Sequence, residues 1–160
     1  MTEDDDFRTA FLDLVDDVCG ELGYPPRGEA PESDEALAME MELDGIPFAV
    51  VHMRNIAVDR ILVECCFGPI PEERAEQVLY RILQLNRSFA DMADTAFGID
   101  PETGDLIYTA ACNLASTSGR SLLDMMTEMT WQARKWHATY FLDEANAPSQ
   151  ELPLHLTSLA

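Results

Sequence analysis

A chain of 160 residues suits one domain with enough core to fold without a disulfide or metal, and an apolar content of 47% lies well above that of disordered sequences. Thirty Asp and Glu against ten Lys and Arg give a net charge of −20. So acidic a surface repels phosphate backbones and anionic headgroups; nucleic acid and membranes are poor partners, and the charge serves either solubility or basic, aggregation-prone proteins.

The first 34 residues hold eleven acids and two bases. Within them Asp6–Leu22 reads as an amphipathic helix: Phe7, Phe11, Leu14, Val15, Val18 and Leu22 recur at spacings of three and four. Asp4, Asp5 and Asp6 suit its positive N-terminal end, and Gly23 followed by Pro25 and Pro26 stops it. Pro25–Asp34 reads as a loop.

Three strands follow. Leu37, Met39, Met41 and Leu43 alternate with Ala38, Glu40 and Glu42, which predicts one dry and one wetter face. Asp44-Gly45 signals a tight hairpin into a second strand, Ile46–Arg54. A third runs over Arg60–Phe67, after a turn at Asn55–Asp59.

Gly68-Pro69-Ile70-Pro71 ends this run, and Glu72–Ala93 reads as a second helix. Its apolar stripe is broad: Ala75, Val78, Leu79, Ile82, Leu83, Leu85, Asn86, Phe89 and Ala90. Pro71 near the first helical position and Glu72 and Glu73 in the first turn suit its start. Thr95–Ile99 is a short strand. Asp100–Gly104 is a turn, proline presetting one position and Gly104 free to turn left-handed. Asp105–Leu114 is the returning strand, with Leu106, Tyr108, Ala110, Cys112 and Leu114 on one side.

Ser118 or Ser121 caps a last helix whose stripe is Leu122, Met126, Met129, Ala133, Trp136 and Tyr140. The resulting order α-β-β-β-α-β-β-α predicts an α+β domain over residues 1–144, with three helices and a twisted, mostly antiparallel five-stranded sheet. Residues 145–160 read as a flexible tail, although Leu152, Leu154 and Leu156 alternate as a strand would.

Motifs for chemistry are absent. Cys65 and Cys66 are adjacent in a strand and point to opposite faces. With Cys19 and Cys112 they form no C-x-x-C, and read as small buried hydrophobes in a reducing compartment. His52, His137 and His155 stand in no metal-ligand spacing. The Asp100 turn fails as a calcium loop, because the glycine and glutamate positions hold Asp105 and Ala111. Ser116–Ser121 lacks the glycines and lysine of a phosphate loop and reads as a plain cap. No catalytic residue, metal or cofactor is expected. The acidic start is no signal peptide, and no stretch nears the ~20 apolar residues of a membrane span. A cytoplasmic protein is the expectation. Met39, Met41, Met53, Met92, Met125, Met126 and Met129 lie in predicted elements, either filling the core or forming an adaptable binding surface.

Three segments carry a resemblance: Leu83-Gln84-Leu85-Asn86 on the second helix, Phe97–Tyr108 across the hairpin, and the closing helix with Trp136. Over about residues 6–143 the chain resembles the class I type III secretion chaperones, the Tir-chaperone-like (CesT) family. The resemblance implies a bacterial homodimer that holds an extended N-terminal segment of a secreted effector, keeping it soluble and secretion-competent without ATP. The expected effector-binding residues are Phe7, Phe11, Leu14, Val15, Met39 and Met41, where an extended client can add a strand to a sheet edge. The expected dimer interface is Leu79, Ile82, Leu83 and Asn86, with Leu106 and Tyr108 nearby. The competing readings are a regulatory binding module of similar fold, such as the sensory-transduction-regulator (YbjN-like) family, and a small enzyme whose site assembles only in the fold.

Overall fold

The computed structural model describes residues 3–26, 37–89 and 94–143, with side chains from Asp6 onward. The elements are α1 (Glu3–Glu21), β1 (Ala38–Leu43), β2 (Ile46–His52), β3 (Arg60–Pro69), α2 (Ala75–Ser88), β4 (Thr95–Ile99), β5 (Asp105–Asn113) and α3 (Gly119–Thr139). Short 3-10 turns at Glu72–Arg74 and Leu114–Ser116 lead into α2 and follow β5. This is the expected α+β order. The loop predicted over 25–34 is described only to Pro26; residues 90–93 of the predicted second helix and the tail at 145–160 lie outside the described residues. The second helix also starts later than its acidic first turn suggested. The Arg74 backbone (φ −125°, ψ 11°) breaks the helical path, so Glu72–Arg74 closes as a separate tight turn on the Pro71 carbonyl.

All strand pairs are antiparallel, in the order β1-β2-β3-β5-β4. Asp44 and Gly45 both have positive φ (53° and 81°), the paired left-handed geometry that matches strand twist in a two-residue hairpin. Leu43 therefore pairs with Ile46, and the register runs on to Ala38 opposite Val51. One sheet face collects the alternate apolar residues: Ile46, Phe48 and Val50 of β2; Ile61, Val63, Cys65 and Phe67 of β3; Leu106, Tyr108 and Ala110 of β5.

Helices α1 and α3 cover that face. From α1 come Phe11, Leu14 and Val18; from α3 Leu122, Met125, Met126, Met129, Ala133 and Trp136, all buried. Each large apolar side chain so buried contributes roughly 1.5–3 kcal/mol. Phe67, Phe97, Tyr108, Trp136 and Phe141 form an aromatic cluster under the C-terminal end of α3, with Phe67 and Phe97 edge-to-face at 5.4 Å. Ser118 is the cap of α3 and Ser121 its reciprocal partner, so both candidate serines serve one capping box. Packing absorbs two of the histidines. His52 stacks on Phe11 and its Nε2 donates to the Val58 carbonyl at 2.7 Å. His137 donates to the Phe67 carbonyl, beside the bulge between Cys66 and Gly68.

Candidate binding surfaces

The two ends of the sheet differ. At β1, Leu37 accepts from the His52 N–H at 2.9 Å, and the hairpin pairs Leu43 with Ile46. Hydrogen bonding alternates along an antiparallel strand, so Leu37, Met39, Met41 and Leu43 bond to β2. The backbone groups of Ala38, Glu40 and Glu42 face away from it. Among the described residues β1 is an open edge.

At β4 the edge is capped at its central residue, Phe97. Asn86 of α2 accepts from the Phe97 N–H at 2.8 Å and donates its amide to the Phe97 carbonyl at 3.0 Å. One side-chain amide thus takes the place that a residue of a further strand would occupy.

Helix α2 packs its Val78, Ile82 and Leu85 inward beside β4 and leaves Leu79, Tyr80 and Leu83 exposed at 39%, 67% and 67%. Ile99, at the end of β4, is exposed at 44%. Leu79 and Leu83 are four residues apart, and Tyr80 and Leu83 three apart, so they share one helix face.

The predicted effector-binding residues fall into two groups. Phe11 and Leu14 are sealed in the core, at 1% and 4% exposure. Phe7, Val15, Met39 and Met41 are half-buried along the margin of that core, as is Leu43. Of the predicted dimer residues, Leu79 and Leu83 stand on the surface. Ile82, Leu106 and Tyr108 are buried within the protomer, and Asn86 is engaged by β4. Tyr80, Ile99 and the half-exposed Trp131 of α3, with the Lys135 ammonium 4.8 Å from its ring centre, are exposed apolar features that the sequence reading passed over.

The sheet face turned away from the helices carries a trough of about 490 Å3. Pro47, Ala49, Cys66 and Ile107 contribute to its floor, and Glu40, Glu42, Glu64, Asp100 and Asp105 line it, with no Lys or Arg among the described residues around it. Cys66 donates to Asp105 at 3.7 Å. Burial is the main cause pushing its thiol up, with the Asp105 carboxylate adding to it. That is the opposite of what a reactive thiolate needs. Among the described residues no cluster of three or more His, Cys, Asp and Glu is arranged to hold a metal ion, and no helix is long and apolar enough to cross a membrane.

An open strand edge flanked by adaptable apolar side chains, with a second apolar helix face, defines a binding protein. The chain belongs to the Tir chaperone protein (CesT) family, the chaperones of type III secretion, whose family model matches residues 42–137. Solved structures share the fold. A chain of the ExsC–ExsE complex superposes with a TM-score of 0.62 at 17% identity, covering 80% of this chain and 91% of its own. A chain of the HopA1–SchA chaperone–effector complex gives 0.59 at 17% identity, covering 79% and 92%. The Yersinia pestis type III secretion chaperone SycH, in complex with a stable fragment of YscM2, gives 0.54 at 17% identity, covering 78% and 98%. No curated protein matches the chain by sequence.

Proposed function

We propose that this protein is a cytoplasmic, homodimeric type III secretion chaperone that takes up an extended N-terminal segment of a secreted effector and keeps it competent for export. The carrying observation is the contrast between its two sheet edges: among the described residues β1 offers unpaired backbone groups, whereas Asn86 caps the middle of β4. A client strand on β1 would place alternate apolar side chains beside Met39, Met41 and Leu43, with Phe7 and Val15 along the same core margin. Methionine suits such a margin, because its unbranched thioether adapts to varied shapes. Binding of this kind needs no catalytic group, metal or nucleotide. The same reading treats residues 1–144 as the folded domain and 145–160 as a tail outside it.

One similar solved structure is a chaperone–effector complex and another holds a type III secretion chaperone bound to a fragment of a second protein, which supports the reading. It is tested by isolating the C-terminally tagged protein from its own bacterium under secretion-inducing conditions. The expected result is one partner at two chaperone chains per client, lost when that partner's N-terminal region is deleted. Met39→Asp with Met41→Asp should weaken capture at least tenfold while the chaperone still melts cooperatively. A partner that survives deletion of its N-terminal region would refute the reading, as would capture indifferent to the two methionines.

A further inference from the structure

Glu40 and Glu42 belong to two features at once. Their backbone groups face the open β1 edge, and their side chains line the acidic trough on the outer sheet face. Met39, Met41 and Leu43 point the other way, to the margin of the core. An antiparallel strand added to β1 inherits this division, because directly opposite residues share a face with Cβ atoms about 4.5–5.5 Å apart. Client residues opposite Met39 and Met41 meet apolar surface. Those opposite Glu40 and Glu42 meet carboxylates.

Among the described residues that line the trough, none is a cation with which these two carboxylates could pair. Glu64 and Asp105 stand further across the same face, and the residues between, Pro47 and Ala49, are apolar. Arg60, the one Lys or Arg on the five described strands, lies at the far end of β3 and pairs with Asp94 at 2.8 Å. A strand presenting acids to this face would meet uncompensated repulsion, and one presenting Lys or Arg would be attracted both locally and by the field of a chain carrying −20.

We infer that the β1 edge selects a client strand of alternating pattern, aliphatic at the positions over Met39 and Met41 and basic at the positions over Glu40 and Glu42. This rests on the strand-addition reading above and narrows it from any extended apolar segment to one with a two-residue apolar–basic period.

The probes are three fluorescein-labelled nonapeptides of alternating Leu–Lys, Leu–Ser and Leu–Glu, titrated into the full chain by fluorescence anisotropy. The Lys peptide should bind about three- to tenfold more tightly than the Ser peptide, and the Glu peptide most weakly. The Lys advantage should shrink as salt rises from about 0.05 to 0.5 M. The double variant E40Q/E42Q should bring the Lys and Ser peptides together. In the unaltered protein, hydrogen exchange should show the Glu40 and Glu42 amides gaining protection when peptide binds, since these N–H groups face the edge. Equal affinity of the Lys and Ser peptides, or a preference that survives E40Q/E42Q, would overturn the charge selection while protected edge amides left strand addition standing. No binding by any peptide, or binding without protection at Glu40 and Glu42, would overturn both.

Discussion

Gly119, the first residue of α3, lies hard against α1. A Cβ placed there would lie 2.8 Å from the Asp17 carbonyl carbon and 2.9 Å from the Val18 nitrogen. These are backbone atoms near the C-terminal end of the hydrogen-bonded α1, so they cannot give as a flexible side chain would. G119A should therefore cost about 1–3 kcal/mol, the usual range for overpacking a filled site, despite the better helix propensity of alanine. Urea unfolding followed by circular dichroism measures it; an unchanged midpoint would mean that α1 docks less closely. At this scale alternation was legible: Ile61, Val63, Cys65 and Phe67 could be assigned to one face because every second strand residue shares it. The depth of Phe11 and Leu14 was not. Helical spacing shows that Phe7, Phe11, Leu14 and Val15 point the same way, but the positions of α3 and of His52, which stacks on Phe11, decide which of them is sealed. Substituting Asp at Phe11 or Leu14 would thus report on folding, and client capture is better probed at the half-buried Met39 and Met41.

Between elements, the side chain of Asn86 does what a sixth strand would do. Replacing it with leucine keeps the helix and much of the volume but leaves the Phe97 N–H and carbonyl without their partner. N86L should destabilise the chain by about 1–3 kcal/mol, the cost of unsatisfied, partly buried backbone groups. It should also turn β4 into a second adhesive edge. Chemical denaturation measures the first effect, and light scattering of concentrated protein the second. Normal stability together with clean solubility would show that Asn86 closes nothing. The family resemblance placed Asn86 on the dimer face, within the broad stripe of the second helix. A helix stripe shows direction and not distance, and the contact to Phe97 joins residues eleven apart in sequence. The breadth of that stripe was informative all the same, since it allowed one face for the core and another for a partner: Val78, Ile82 and Leu85 face the protomer, and Leu79 and Leu83 face outward.

For the whole molecule, the exposed apolar face of α2 bears on assembly. Scattered surface leucines are ordinary, but Leu79, Tyr80 and Leu83 are contiguous on one helix, the same helix whose Asn86 caps β4. A face of this kind, repeated about a two-fold axis, buries itself against its own copy, each residue meeting a partner residue twice over. The full chain should therefore elute at twice its 17.9 kDa mass in light-scattering chromatography, and L79E/L83E should shift it to the monomer without lowering its melting temperature by more than a few degrees. Charge sets the sign of the salt response. Two chains of −20 repel each other, so screening should tighten the dimer as salt rises, whereas capture of a basic strand at β1 should weaken over the same range. Opposite slopes in one salt series would separate an apolar interface at α2 from an electrostatic one at β1. If the L79E/L83E protein remained dimeric, or if dimer and client affinities fell together with salt, the partner copy would have to be joined elsewhere on the surface.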